Sequence, residues 1–370
     1  MIYVITFFIS LIVCKIASIL LKDYKIVGLC FLFIAISIPS LLAGCRDIDV
    51  GTDTSGYVLQ YFRIAKYEDS FNNYNSRIST EIGYSVFNYV ITRSFKNFAC
   101  LLFFIEFFVL SLISLSIINL KKYALLPWSF FVYFSLYFAS SLNTTRQIMS
   151  MAVCLYSFSF LLDRKYAKSL LIAFAALAFH FTAFIFFAIF PLYYLINKIS
   201  SKNFIFFQIL ISVSCIVIVF LLDYVITSFI GVGLLTDKFD AYTSTNNTFG
   251  SNIPLSDLLS SSVIFVIIAV FKKYSSESNS IKNFFHIIFL ISVILCFSAI
   301  KSTFAVRGMY YFSFLSIIII PVYLSKFENR RLRLFLNFSF IIFFILYWML
   351  TVTYANLGET YPYKSKILSL

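Results

Sequence analysis

The sequence predicts an all-α fold, a polytopic membrane bundle of about ten full spans plus a short helical hairpin. Three observations carry this prediction. Of its 370 residues 61% are hydrophobic and only 12% charged, where a soluble domain carries about 25% charged residues. The mean hydropathy is +0.93. Long apolar runs alternate with short basic clusters, the pattern that orients helices in a bilayer. One membrane domain over residues 1–370 is expected, its core sized by the bilayer.

Runs of roughly 17 to 25 apolar residues suffice to cross a membrane. Such runs, some of them shorter, fall near residues 2–21, 25–43, 98–120, 124–142, 147–162, 204–222, 258–271, 283–300, 309–324 and 335–354. The N-terminal run lacks a basic leader and a small-residue cleavage site, so it reads as a retained span. Basic clusters lie between the runs: Lys22 and Lys25; Lys121 and Lys122; Arg164, Lys165 and Lys168; Lys198 and Lys202; Lys272, Lys273 and Lys282; Lys326, Arg330, Arg331 and Arg333. They hold sixteen of the 29 basic residues in short connections, which places that side in the cytoplasm and both termini outside. The net charge of +13 is thereby assigned to topology, and no nucleic-acid partner is expected.

Residues 169–196 are apolar yet join two clusters assigned to the same side. A hairpin of two half-length helices turning near His180 accounts for this; the competing reading is one tilted helix. Non-helical backbone at membrane depth is tolerated only where protein buries it or a wet cavity surrounds it. Two outer loops are long, 44–97 and 223–257. The first holds an amphipathic stretch from Glu81 to Phe95, with Ile82, Val86, Phe87 and Val90 on one face, suited to the interface. The second, rich in Ser, Thr and Asn, reads as an irregular cap. Six of the seven cysteines lie inside apolar segments with no metal or redox spacing, so buried free thiols are expected.

Four polar clusters at span ends call for an explanation, because ionisable residues at membrane depth usually face a cavity. The run Arg46-Asp47-Ile48-Asp49-Val50-Gly51-Thr52-Asp53-Thr54-Ser55-Gly56-Tyr57 suits a catalytic loop, a divalent-cation site or a hydrated turn. Arg146 and Gln147 open a later helix, where a guanidinium beside free N–H groups would clamp a diphosphate; the alternative is an interfacial arginine among lipid headgroups. His180 suits phosphate donation or proton transfer, or plain packing. Arg307, with Tyr310, stands at another outer mouth. His286 reads as a packing residue near the cytoplasmic side. Arg46, Arg146, His180 and Arg307 all fall on one side, and a positive pocket there suits an anionic lipid headgroup.

In these residues the chain resembles the EpsG-like branch of the Wzy polymerases, which build O-antigen, capsule and exopolysaccharide. The resemblance rests on Arg46-Asp47, Gly51-Thr52-Asp53-Thr54 and Tyr57, on Arg146-Gln147, on His180, on Arg307 with Tyr310, and on Tyr361-Pro362-Tyr363 in the tail. It implies a GT-C-like glycosyltransferase in the bacterial cytoplasmic membrane, with its active site facing the periplasm or outside. The substrate, as donor and acceptor, would be undecaprenyl diphosphate carrying an oligosaccharide repeat. Implied roles are a catalytic base among Asp53, Asp49 and His180, diphosphate ligands Arg46, Arg146 and Arg307, and substrate contacts from Asp47, Thr52, Tyr57, Gln147 and Tyr310. A Wzx-type flippase and a Wzz-type chain-length regulator are the implied partners. No cofactor is expected; the aspartates allow a divalent cation without demanding one. An O-antigen ligase-type transferase, a repeat-unit flippase and a structural subunit are the alternatives.

Overall fold

The protein is described by a computed structural model, covering residues 1–231, 254–300 and 303–370. It is 82% helix with no strands among the described residues, and nine of its described helices are long and apolar enough to cross a membrane. It is a multi-pass membrane protein. Two compact units divide it, residues 1–183 with 336–370, and residues 184–335.

The first unit begins with α1 (Ile2–Asp23) and α2 (Lys25–Cys45), packed as a hairpin. Pro39 lies inside α2, and its missing N–H frees the Ala35 carbonyl one turn earlier. Ser10 of α1 donates its hydroxyl to that carbonyl at 2.7 Å, so the neighbouring helix supplies the lost bond, as an apolar surround requires. Next come a π-helical turn at Thr54–Val58 and short helices α3 (Leu59–Tyr67), α4 (Phe71–Arg77) and α5 (Ile82–Phe95). The α6 helix (Phe98–Asn119) then crosses, its first turn capped by the Asn97 side chain, which accepts from the Ala99 N–H.

The expected span at 124–142 is broken into α7 (Leu126–Leu136) and α8 (Phe138–Ser141). The buried Glu106 carboxylate of α6 holds both pieces, accepting from the Tyr133 hydroxyl at 2.7 Å and the Ser141 hydroxyl at 2.8 Å. The expected span at 147–162 is the continuous α9 (Thr145–Leu162), which is not among the nine. Its serines, Gln147 and Arg146 lower its mean hydropathy, and the protein itself buries fifteen of its eighteen residues. Serines lock it to α10 (Tyr166–Leu177): Ser157 and Ser169 each donate to the other's carbonyl, at 2.7 and 2.8 Å, and Ser150 donates to the Ala176 carbonyl.

The chain turns at residues 178–180, as the hairpin reading expects, but the arms are unequal. The first is the 12-residue α10. The second, a 3₁₀ segment (Phe181–Ala188) running into α11 (Ile189–Lys198), is long and apolar enough to cross alone and so is not half-length. The tighter 3₁₀ winding adds rise per residue and lengthens it. The second unit contains α11, α12 (Phe204–Gly231), α13 (Leu255–Phe271), α14 (Asn279–Phe297), α15 (Thr303–Ser313) and α16 (Ser316–Ser325). Within it α14 packs against α11, α12, α13 and α15. His286 is buried there against Gln208. Most of the loop at 223–257 lies outside the described residues.

The final helix, α17 (Arg330–Trp348), leads through a π turn into a tail that returns to the first unit. Four tail carbonyls accept from three separate places: Gly358 from Asn143 Nδ2 at 2.9 Å, Glu359 from the Gly51 N–H at 3.1 Å and Lys364 from the Asp47 N–H at 2.9 Å in the loop after α2, and Thr360 from the Tyr3 hydroxyl at 2.7 Å. Gly358 sits at φ +79° with Asn143 against the position a Cβ would take. Gly358→Ala should therefore cost about 1–3 kcal/mol through left-handed strain and displacement of Asn143. A lowered melting temperature in detergent and faster proteolysis of the tail check this.

Candidate functional site

The segments that meet in the first unit are the loop after α2, the start of α5, the connection from α8 to α9, the turn after α10, and the tail. Arg46 closes the base of this junction. Only 6% exposed, it donates through Nη1 to the Ala43 carbonyl at 2.7 Å and through Nη2 to the Leu142 carbonyl and Thr54 Oγ1, both at 3.2 Å. Asp47 faces the tail, accepting from the Lys366 N–H at 2.9 Å. Thr52 donates to Asn143 Oδ1 at 3.2 Å, so Asn143 ties the loop to the tail. Asp49 is exposed, and Asp53, half-buried, precedes the π turn carrying Tyr57.

Arg146 stands in the first turn of α9. Its guanidinium carbon lies 4.9 Å from the centre of the Tyr57 ring, a cation–π arrangement, and the Tyr57 hydroxyl is 2.6 Å from Thr145 Oγ1. Burial, with Tyr84 and Asp53 nearby, pushes the Tyr57 phenol well up, and Arg146 opposes this only in part. Arg146 Nη1 donates to Glu81 Oε2 and to Thr80 Oγ1, each at 2.8 Å. Glu81 Oε2 also accepts from the Thr80 hydroxyl at 3.0 Å, and Oε1 accepts from the Phe181 N–H at 3.0 Å. One carboxylate thus joins three parts of the chain. Burial alone would raise its pKa, but Arg146, His180 and the Phe181 N–H together hold it below the usual carboxylate range.

His180 is 7% exposed. The Thr182 N–H donates to its Nδ1 at 3.2 Å and the Thr182 hydroxyl lies 2.7 Å from the same atom. The turn is pinned on its other side by the Gly83 N–H, which donates to the Ala178 carbonyl at 2.6 Å. A Cβ on Gly83 would lie 2.6 Å from that oxygen, so only glycine permits the approach. Gln147 is buried one residue beyond Arg146. Arg307 and Tyr310 belong to the second unit, on α15, where the Tyr310 hydroxyl donates to Asp257 Oδ2 at 3.0 Å.

Sequence reasoning singles out Arg146, Tyr57 and His180, which meet here, but neither Glu81 nor the polar stripe beneath it. On α5 the buried face carries Tyr84, Ser85, Asn88 and Thr92, while Ile82, Val86 and Val90 are exposed. The four-residue spacing of Tyr84, Asn88 and Thr92 was the available signal. Among the described residues nine buried side-chain N or O atoms lack a hydrogen-bond partner, and Tyr84 Oη, Asn88 Nδ2 and Arg146 Nε are three of them. Tyr84 interacts electrostatically with Arg146. Buried polar groups are rarely left unmet without a reason. On the outward face of α5, Ile82, Gly83, Val86, Phe87, Val90, Ile91 and Phe179 line an open apolar groove of about 520 Å³, bordered in sequence by Glu81 and by His180.

Because the folded pKa of Glu81 is lowered, its contribution to stability is present above the unfolded carboxylate value of about 4.3 and is lost as pH falls through the folded one. In detergent, the wild type should lose up to about 1 kcal/mol across that window, read as a drop in melting temperature. Glu81→Gln should lack the step.

Comparison with known protein families finds one that spans most of the chain. No curated protein and no solved structure matches the chain. The EpsG family matches residues 29–365, a stretch that runs from α2 into the tail and includes every element of the junction around Arg146. The chain belongs to the EpsG family, a family of Wzy-type polysaccharide polymerase-like proteins.

Proposed function

We propose that the protein is a membrane glycosyltransferase of GT-C-like architecture that polymerises undecaprenyl-diphosphate-linked oligosaccharide repeats at the outer leaflet of the cytoplasmic membrane. The observation that carries this reading is the juxtaposition of a guanidinium, a hydroxyl and a backbone N–H around one carboxylate with an open apolar groove that begins at the next residue. An anion-binding group beside an apolar groove fits a lipid diphosphate, an amphiphile whose head is charged and whose tail is hydrocarbon. Both long outer loops and the tail stand on the non-cytoplasmic side in the topology that the basic clusters favour.

In the reaction, a hydroxyl at the non-reducing end of a new lipid-linked unit attacks the anomeric carbon of the growing chain. The bond from that carbon to the diphosphate oxygen breaks, and undecaprenyl diphosphate leaves with the electron pair. Negative charge grows on the leaving group, and Arg146, held under the Tyr57 ring, stabilises it where it develops. The attacking hydroxyl gives its proton to a base, for which Asp53 is our choice and Asp49 and His180 the alternatives. Arg46 is assigned to positioning, since its donors are turned to carbonyls and Thr54. Asp47, Thr52 and Gln147 are assigned to shaping the loop that meets the sugar. For Arg307 and Tyr310 the proposed substrate roles rest on the family resemblance alone.

Cells lacking the protein should accumulate single lipid-linked repeats, or carry a single repeat on the final acceptor, when the glycans are separated by length. Loss of even the single repeat at the outer face would favour a flippase instead. Arg146→Ala should abolish chain growth while Arg146→Lys, which keeps the charge and loses the planar fork, retains part of it. Asp53→Asn should bind donor and fail to turn over, and full-length polymer from that variant would remove it as the base. Each variant is compared at equal amounts in the membrane.

A further inference from the structure

The Arg146 guanidinium is already paired, and its partner comes from the protein itself. Glu81 accepts from a guanidinium, a hydroxyl and a backbone N–H, at 2.8, 3.0 and 3.0 Å. This is the donor set a phosphate oxygen asks for, one charged donor with neutral donors beside it. The pair is also within reach of a ligand: the Arg146 and Glu81 side chains are 24% and 21% exposed. Arg146 Nε, buried, makes no hydrogen bond among the described residues, so its donor capacity exceeds what Glu81 and Thr80 take up.

We propose that Glu81 occupies the seat of a phosphate group, and that an anionic diphosphate head displaces it from Arg146, Thr80 and the Phe181 N–H. This deepens the donor reading above and rests on it. The exchange is a competition between two anions for one set of donors. With no donor bound, the internal carboxylate neutralises Arg146 and keeps the turn after α10 docked on the start of α5. When a diphosphate arrives with the larger charge and more acceptor oxygens, Arg146 keeps a partner throughout, which avoids the cost of an unpaired half-buried cation. Glu81, released, swings towards solvent, where a carboxylate is well hydrated. A lone monoanion gains little over Glu81, so the seat selects for ligands of higher charge.

A competing internal anion lowers affinity, so removing its charge raises affinity. A residue that merely built the site would have the opposite effect on replacement. The test measures binding of inorganic pyrophosphate, which has no apolar tail to add affinity of its own. Full-length protein in nanodiscs is titrated calorimetrically, as wild type, Glu81→Gln, Arg146→Gln and the double variant. Glu81→Gln, near-isosteric and still able to accept from Phe181, should bind about tenfold more tightly than wild type, the size expected for loss of one close charge in a partly wet site. Arg146→Gln and the double variant should both bind at least tenfold more weakly than wild type. Glu81→Ala is expected to act in the same direction and replaces Gln if that variant does not fold.

Equal or weaker binding by folded Glu81 variants, with Arg146→Gln still weakened, would overturn the displacement model and leave the diphosphate site standing. Binding by Arg146→Gln equal to wild type, or no binding by any form, would instead overturn the donor reading on which the proposal rests.

Discussion

The first unit depends on burying the charge of Arg46. The guanidinium sits at the end of α2, 6% exposed, and a cation taken out of water costs several kcal/mol unless its donors are met. They are met by the last turn of its own helix, by Thr54 in the following loop, and by the Leu142 carbonyl where α8 passes towards α9. Each partner is a backbone or hydroxyl oxygen fixed by its own element. Satisfying one cation therefore sets the distance between the loop after α2 and the start of α9. The position of Tyr57 over Arg146 follows, because Tyr57 lies in the π turn that Thr54 begins.

The tail completes what Arg46 starts. A segment without helix or strand has few internal partners for its backbone, and the groups left over must be met by other parts of the protein. Carbonyls at Gly358, Glu359, Thr360 and Lys364 take donors from α1, from the loop after α2 and from Asn143. In the other direction, the Tyr363 hydroxyl donates to the Leu42 carbonyl at 2.8 Å, at the end of α2 that carries Arg46. The loop is thus held between a buried cation beneath and an irregular strap above. An irregular connection can present Thr52 and Asp53 at fixed positions only because both sides are held.

Much of this was legible in the sequence where the cause is local. Long apolar runs make spans because nothing else in them competes, and the turn at His180 follows from a run too long for one helix between two basic clusters. The misplaced elements are those whose reason lies far along the chain. The break between α7 and α8 reflects Glu106, 27 residues before Tyr133 and 35 before Ser141; no pattern within residues 124–142 announces it. Helix α9 falls where its apolar run predicts, and the fold adds what hydropathy averages away, that its serines meet protein neighbours. Glu81 was hidden for a different reason. It precedes an amphipathic helix as an ordinary N-terminal acid would, and only the fold brings it to Arg146, 65 residues later.

Two arginines of the same unit illustrate why a sequence cluster does not by itself assign chemistry. Arg46 and Arg146 both follow or open a helix and both sit beside polar loop residues, so composition treats them alike. Their partners separate them. Arg46 is held by carbonyls that cannot leave without dismantling the backbone around them, and an anion reaching it would have to break the junction. Arg146 is held by a carboxylate on a flexible two-carbon stem and a hydroxyl, with one nitrogen unmet. Those partners can move while α9 and α5 stay in place. Availability for chemistry thus depends less on the charge of a residue than on whether its present partner can be exchanged for another, and in this unit that condition is met at Arg146.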